Sequence, residues 1–93
     1  MTKQVQAAHI LVKTKEEALG IAFDLGQGKD FAELAKAKSN CPSSKKGGEL
    51  GWFGRGQMVK KFETACFSMQ KGEISSPIQT QFGWHIIKVL DTK

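Results

Sequence analysis

The chain has 93 residues, a net charge of +5 at pH 7, and 40% apolar and 25% charged residues. That balance fits one folded domain and excludes a disordered polymer. No apolar run approaches the roughly 20 residues that span a bilayer, and the first six residues, Met-Thr-Lys-Gln-Val-Gln, lack the apolar stretch of a signal peptide. The expectation is a single domain over residues 1–93, monomeric at this size, and cytoplasmic unless excised from a longer secreted protein.

Gln4 to Val12 alternates. Val5, Ala7, His9 and Leu11 share one face, and Ala8, Ile10 and Val12 share the other, so a central strand is predicted. Thr14 and Glu17 have the spacing of a capping box, with the hydroxyl reaching forward and the carboxylate reaching back. The helix that follows buries Ala18, Ile21, Ala22 and Leu25 and ends at Gly26 and Gly28. Asp30 and Glu33 repeat the signal for a shorter helix with Phe31, Leu34 and Ala35 on its apolar side. Ser39 to Lys46 reads as a polar loop with room for one helical turn.

Gly47 to Phe62 holds five of the ten glycines. Gly47 and Gly48 permit a tight entry into a short strand near residues 49–53, and Gly54 and Gly56 permit the exit. Helical spacing then predicts a helix over about 58–68, with Met58 and Phe62 one turn apart. Leu50, Met58 and Phe62 read two ways, as ordinary core or as a cup for something small and apolar. On this stretch alone the core reading is the stronger, because helical apolar stripes usually face a core. Ile74 to Thr80 is extended, and Pro77 marks it as an edge strand. Gln81-Phe82-Gly83 is a tight connection into the last strand, Trp84 to Asp91, which carries His85 with Ile87 and Val89. The fold class is α+β, with helices over a small, mostly antiparallel sheet.

Both histidines lie on apolar strand faces. If the two strands are neighbours, the imidazoles touch, and Thr80 can extend their hydrogen-bond network. Cys41 stands in the polar loop near Lys45 and Lys46, which favour its thiolate if they are close. Cys41 and Cys66 do not make a disulfide framework, and both are expected reduced. Zinc held by these cysteines and histidines is disfavoured, since no two share a short metal-type spacing. No Cys-x-x-Cys pair and no phosphate-binding glycine loop is present, and no cofactor is expected. Lys36, Lys38, Lys45, Lys46, Lys60 and Lys61 raise a further option, weak contact with an anionic membrane or nucleic acid.

Five motifs then converge. Ala8-His9-Ile10-Leu11-Val12-Lys13, Gly47-Gly48-Glu49-Leu50-Gly51-Trp52-Phe53, Gly56-Gln57-Met58-Val59, Phe62-Glu63 and Phe82-Gly83-Trp84-His85-Ile86-Ile87-Lys88 resemble the parvulins, a family of peptidyl-prolyl cis-trans isomerases. The resemblance covers essentially the whole chain, and the size resembles that of the minimal single-domain parvulins of prokaryotes. It implies an FKBP-like fold, a four-stranded antiparallel sheet wrapped by four helices in the order β-α-α-α-β-α-β-β, with the third helix inside the Cys41 loop. It also implies catalytic positions at His9, Cys41, Thr80 and His85, a prolyl pocket of Leu50, Met58 and Phe62, and rim residues Gln57 and Phe82. The substrates implied are proline-containing polypeptides, and the alternative is a non-catalytic peptide-binding chaperone module. Phosphate-directed members carry a long basic loop after the first strand. Here Val12-Lys13-Thr14-Lys15-Glu16 passes straight into the helix, so no preference for phosphorylated Ser or Thr is expected.

Overall fold

The computed structural model describes residues 2–93. Strands β1 (Gln4–Val12), β2 (Glu49–Gly54), β3 (Ile78–Thr80) and β4 (Gly83–Thr92) form one antiparallel sheet in the order β2-β1-β4-β3. The first and last strands are therefore central neighbours, as the two-faced apolar pattern of β1 requires. Helices α1 (Lys15–Gly26), α2 (Phe31–Lys38) and α3 (Lys60–Ser68) cover the sheet, and the turn expected inside the Cys41 loop is a 3-10 helix, Pro42–Lys46. The wrapping is thus three α-helices and one 3-10 turn rather than four equivalent helices.

Strand parity divides the core. Ala8, Ile10, Val12 and Ile86 pack on one face against Ala18 and Ile21 of α1 and Phe31, Leu34 and Ala35 of α2. Val5, Ala7, Ile87, Val89 and Phe53 pack on the other face against Phe62 and Cys66 of α3. Thr14 Oγ1 accepts from Glu17 N–H, and Asp30 accepts from Glu33 N–H, so both expected caps are present. The Glu17 carboxylate meets the Thr14 hydroxyl instead of reaching the cap's backbone.

Two expectations change. Helix α3 begins at Lys60 with Val59 as its cap, so Met58 precedes the helix instead of sitting in its first turn. The cause is local. Gly56 has φ +87°, Gly54 N–H donates to the Gln57 side-chain oxygen, and Gly56 N–H donates to Glu63, which closes the β2–α3 connection as a separate turn. The extended segment predicted from Ile74 narrows to β3, Ile78–Thr80, with a single bridge at Ile74 to Lys88. Between them Pro77 has no N–H to give, and the Ser75 hydroxyl accepts from Ile87 N–H.

Candidate active site

On β1 and β4 the register pairs His9 with Ile87 and Leu11 with His85. The two histidines are therefore diagonal neighbours on one face, within reach of each other's rings. Their Nδ1 atoms lie 3.0 Å apart, and the rings are near parallel with centroids 5.2 Å apart. Phe62 meets both imidazoles edge to face, at 5.4 Å from His9 and 5.2 Å from His85. Both histidines are buried, at 5% and 4% exposure.

The direction of the hydrogen-bond chain follows from the number of groups each arrangement leaves unpaired. Phe82 N–H donates to Thr80 Oγ1, and Thr80 Oγ1 lies 2.7 Å from His85 Nε2. If the hydroxyl donates to His85 Nε2, then His85 Nδ1–H donates to His9 Nδ1, and His9 carries its proton on Nε2. That arrangement leaves one unpaired group, His9 Nε2–H, which has no partner among the described residues. The reverse direction leaves two, the threonine proton and the His9 Nε2 lone pair, so the first is preferred. Only one proton fits between the facing Nδ1 atoms, so both rings cannot be cations at once, and burial disfavours even one. Burial, and then the charge of His85, lowers the His9 pKa from 6.5 to about 4. Burial also lowers that of His85.

These rings form part of a cleft of about 510 Å³. It is lined by His9, Leu11, Asn40, Cys41, Pro42, Leu50, Gln57, Met58, Val59, Phe62, Phe82 and His85, none of them charged in the neutral state of the histidines. Leu50, Met58 and Phe62 share this opening while also packing on the α3-side core, so they are cleft wall and core at once. Of the residues singled out from the sequence, Thr80 alone stands behind the wall, supporting His85. Met58 reaches the cleft from the turn before α3. Phe82 is 60% exposed at the mouth.

Leu11, Asn40, Pro42 and Val59 also line the cleft and were not singled out. Leu11 was legible, because it alternates with His9 on one face of β1. The Cys41 loop is held by a less visible device. The Ser39 hydroxyl accepts from Leu11 N–H and Cys41 N–H, and Asn40 N–H donates to Leu11 C=O. Two residues of the loop are thereby tied to β1, which sets Cys41 and Pro42 on the wall opposite α3. Cys41 is partly exposed there. Cys66 is buried on the inner face of α3, and burial pushes its thiol up to about 12, which disfavours its thiolate.

Gly48 fixes the other side. Its carbonyl accepts from His9 N–H at 2.9 Å, its φ is +86°, and a Cβ on it would collide with the His9 carbonyl oxygen. A glycine is required to bring β2 this close beside His9. The lysines do not form a single patch. Lys36, Lys45 and Lys46 line a groove on the other side of Leu50, Lys60 and Lys61 lie beside β3, and Lys38 pairs with Asp24 at 3.8 Å.

Comparison with known proteins places this geometry. The family described as rotamase, PPIC-type PPIASE domain, matches residues 8–91. The foldase protein PrsA 1 of Bacillus cereus is 52% identical over 91 residues, covering 97% of this chain and 32% of the relative. The crystal structure of a PrsA peptidylprolyl isomerase from Bacillus cereus superposes with a TM-score of 0.95 at 47% identity, over 99% of this chain and 36% of that one. The solution structure of NmPin, the parvulin of Nitrosopumilus maritimus, superposes with a TM-score of 0.86 at 46% identity, over 98% of this chain and 99% of that one. The chain spans roughly a third of the length of the curated PrsA relatives it matches.

Proposed function

This chain belongs to the PPIC-type peptidyl-prolyl cis-trans isomerase (rotamase) family, the parvulins, and we propose that it catalyses rotation about X-Pro peptide bonds in unfolded or flexible polypeptides without a covalent intermediate. The observation that carries this reading is the uncharged cleft in which Leu50, Met58 and Phe62 meet a neutral imidazole pair.

The physical argument starts from the bond. Amide resonance sets a rotation barrier of roughly 18–20 kcal/mol, and uncatalysed X-Pro exchange takes tens to hundreds of seconds. In the twisted state the carbonyl oxygen loses negative charge and the nitrogen gains a lone pair. Water therefore stabilises the planar amide more than the twisted one, and an uncharged cleft relatively favours the twisted form. Burial of the proline ring on Leu50, Met58 and Phe62 contributes about 1.5–3 kcal/mol of binding. That term is the same in ground and transition states and accelerates nothing. A thousandfold acceleration needs about 4 kcal/mol that grows as the bond turns. Its sources are loss of solvent around the carbonyl and restraint of the ring while the preceding carbonyl rotates. A hydrogen bond from the substrate's own backbone to the pyramidal nitrogen adds to them.

Isomerisation moves no proton. His9 and His85, both disfavoured as cations, are positioning residues for the cleft floor, with Phe62 wedged against both rings. Cys41 supplies wall, and no thiol adduct is required. Strand β1 ends at Val12 and α1 starts at Lys15, so only Lys13 and Thr14 connect them, and Thr14 is engaged as the cap. Lys15 lies over the Trp84 ring at 5.8 Å. This leaves no loop to clamp a phosphate, and phosphorylated Ser-Pro or Thr-Pro is not preferred; a large preference for a phosphorylated over an unphosphorylated peptide would overturn that statement. The deciding experiment for the activity itself is protease-free exchange spectroscopy on a short Ala-Pro peptide. Enhanced cis-trans exchange is expected. Binding without enhancement would reassign the cleft to a non-catalytic chaperone module.

A further inference from the structure

The prolyl cleft shares one wall with a second concavity. Leu50 separates the uncharged cleft from a groove of about 620 Å³ that presents Lys36, Lys45 and Lys46, with Glu49 as its one carboxylate. The three lysines come from two elements, the last turn of α2 and the last turn of the 3-10 helix. These elements are locked together at Gly47, where a Cβ would stand 2.8 Å from Ala32 Cβ of α2. The ammonium stems therefore rise from a fixed floor. Among the described residues the ion pairs are Lys38–Asp24, Arg55–Glu63 and Lys71–Asp91, so none of the three groove lysines is neutralised.

We propose that this groove is a substrate subsite that selects polypeptides with an acidic side chain near the isomerised proline. The proposal rests on the isomerase reading and deepens it. A chain whose proline sits between Met58 and Phe62 and which leaves over Leu50 enters a concave surface with three cations and one anion. An extended chain advances ~3.3–3.6 Å per residue, so the groove meets residues about two to four places from the proline. A carboxylate there gains charge-assisted contacts and faster encounter, while a lysine is repelled. The position directly before proline lies in the cleft itself, so the subsite is separate from any phosphate recognition. A concave groove contiguous with the cleft fits a peptide strand better than a flat lipid surface, and the lysines beside β3 lie apart from it.

The test is kcat/KM, by exchange spectroscopy, for eight-residue peptides with one Ala-Pro bond and Glu or Gln placed two, three or four residues before or after the proline. At low ionic strength the best Glu peptide is expected to exceed its Gln twin by about threefold to fivefold, the size supplied by one or two exposed ion pairs. The ratio is expected to approach one near 1 M salt, where the Debye length shrinks to about 3 Å. Lys45→Ser with Lys46→Ser is expected to abolish most of the ratio. Lys60→Ser with Lys61→Ser removes the same net charge and is expected to preserve it. Lys45→Glu with Lys46→Glu is expected to invert it toward Lys-bearing peptides. A Glu/Gln ratio of one at every position overturns the subsite, as does equal loss of the ratio in both serine variants, which would mean a diffuse field. A ratio of one together with weaker sedimentation of the Lys45/Lys46 variant on phosphatidylglycerol vesicles also overturns it, in favour of a lipid surface. Turnover of the Gln peptides by the unsubstituted protein reports on the isomerase reading separately; absence of all turnover overturns that premise instead.

Discussion

Acidification probes the imidazole pair directly. In the unfolded chain His9 titrates near 6.5, while in the folded protein burial, and then the charge of His85, hold it at about 4. Between those values the unfolded state takes up a proton that the folded state refuses, so stability falls as pH falls through this window. At about 1.36 kcal/mol per unit of separation, His9 alone accounts for about 3 kcal/mol, most of it gone by pH 4.5. His85 is lowered by burial and acts in the same direction. Against a total of about 5–15 kcal/mol for a domain, the loss is large but leaves the protein folded at pH 6. The assay is urea unfolding followed by the fluorescence of Trp52 and Trp84 at pH 7.5, 6, 5 and 4.5. His9→Asn removes the titration and keeps a side-chain oxygen to accept from His85 Nδ1–H, so its stability is expected to fall by about 2–3 kcal/mol less over the same range. Carboxylate titration is common to both proteins and cancels. Parallel curves for the two proteins would refute the buried neutral pair. Because no proton is transferred, kcat/KM is expected to stay flat from pH 6 to 8, and a bell-shaped profile there would refute the positioning role.

Thr80→Val keeps the shape and removes the hydroxyl between Phe82 N–H and His85 Nε2; a loss of about 1 kcal/mol is expected, with ¹⁵N spectra showing His85 released from its single tautomer. Leu50→Ala trims a half-buried wall of the cleft that also packs on the core, and is expected to lower kcat/KM about fivefold to tenfold and stability by about 1–2 kcal/mol. Cys41→Asp is expected to keep substantial isomerase activity, and complete loss with intact circular dichroism would require a thiol-specific role. Gly48→Ala is expected to lose more than about 2 kcal/mol in urea unfolding, since it combines a positive φ with a collision at the His9 carbonyl, whereas Gly51→Ala, at φ +76° with open space, is expected to lose about 1 kcal/mol.

Much of this site was legible because strand parity is a strong constraint. A polar residue among Val5, Ala7 and Leu11 must face what those residues face, and the same holds for His85 beside Ile87 and Val89. That both faces were the same face needed the β1–β4 register, which depends on a bulge between Gln6 and Ala7 that no periodicity announces. Met58 was misplaced because helical spacing continues back through it, while the helix is stopped by the side-chain closures of Gln57 and Glu63 onto backbone N–H groups. Ser39 escaped notice for the opposite reason. A serine in a polar loop looks like solvent-facing filler, and only the fold shows its oxygen taking the N–H of Leu11, which ties the loop to β1, and that of Cys41 within the loop.

The two histidines and the apolar cleft answer one requirement. A reaction that lowers amide polarity at its summit is helped by surroundings without net charge, and a cation beside the scissile-like carbonyl would instead favour the planar, polar ground state. Histidine in a cleft normally invites protonation. Here that is opposed by burial and by the partner's ring, and the Nδ1–Nδ1 contact, with room for a single proton, bars both rings from being cations at once. Phe62, edge-on to both rings, fixes them without adding charge. The cations are placed outside, across Leu50 and beside β3, away from the turning bond, and only those across Leu50 face the path of a flanking chain. The separation of an uncharged centre from a basic periphery is what allows one small domain to use charge for selecting substrate while excluding it from the rotation step.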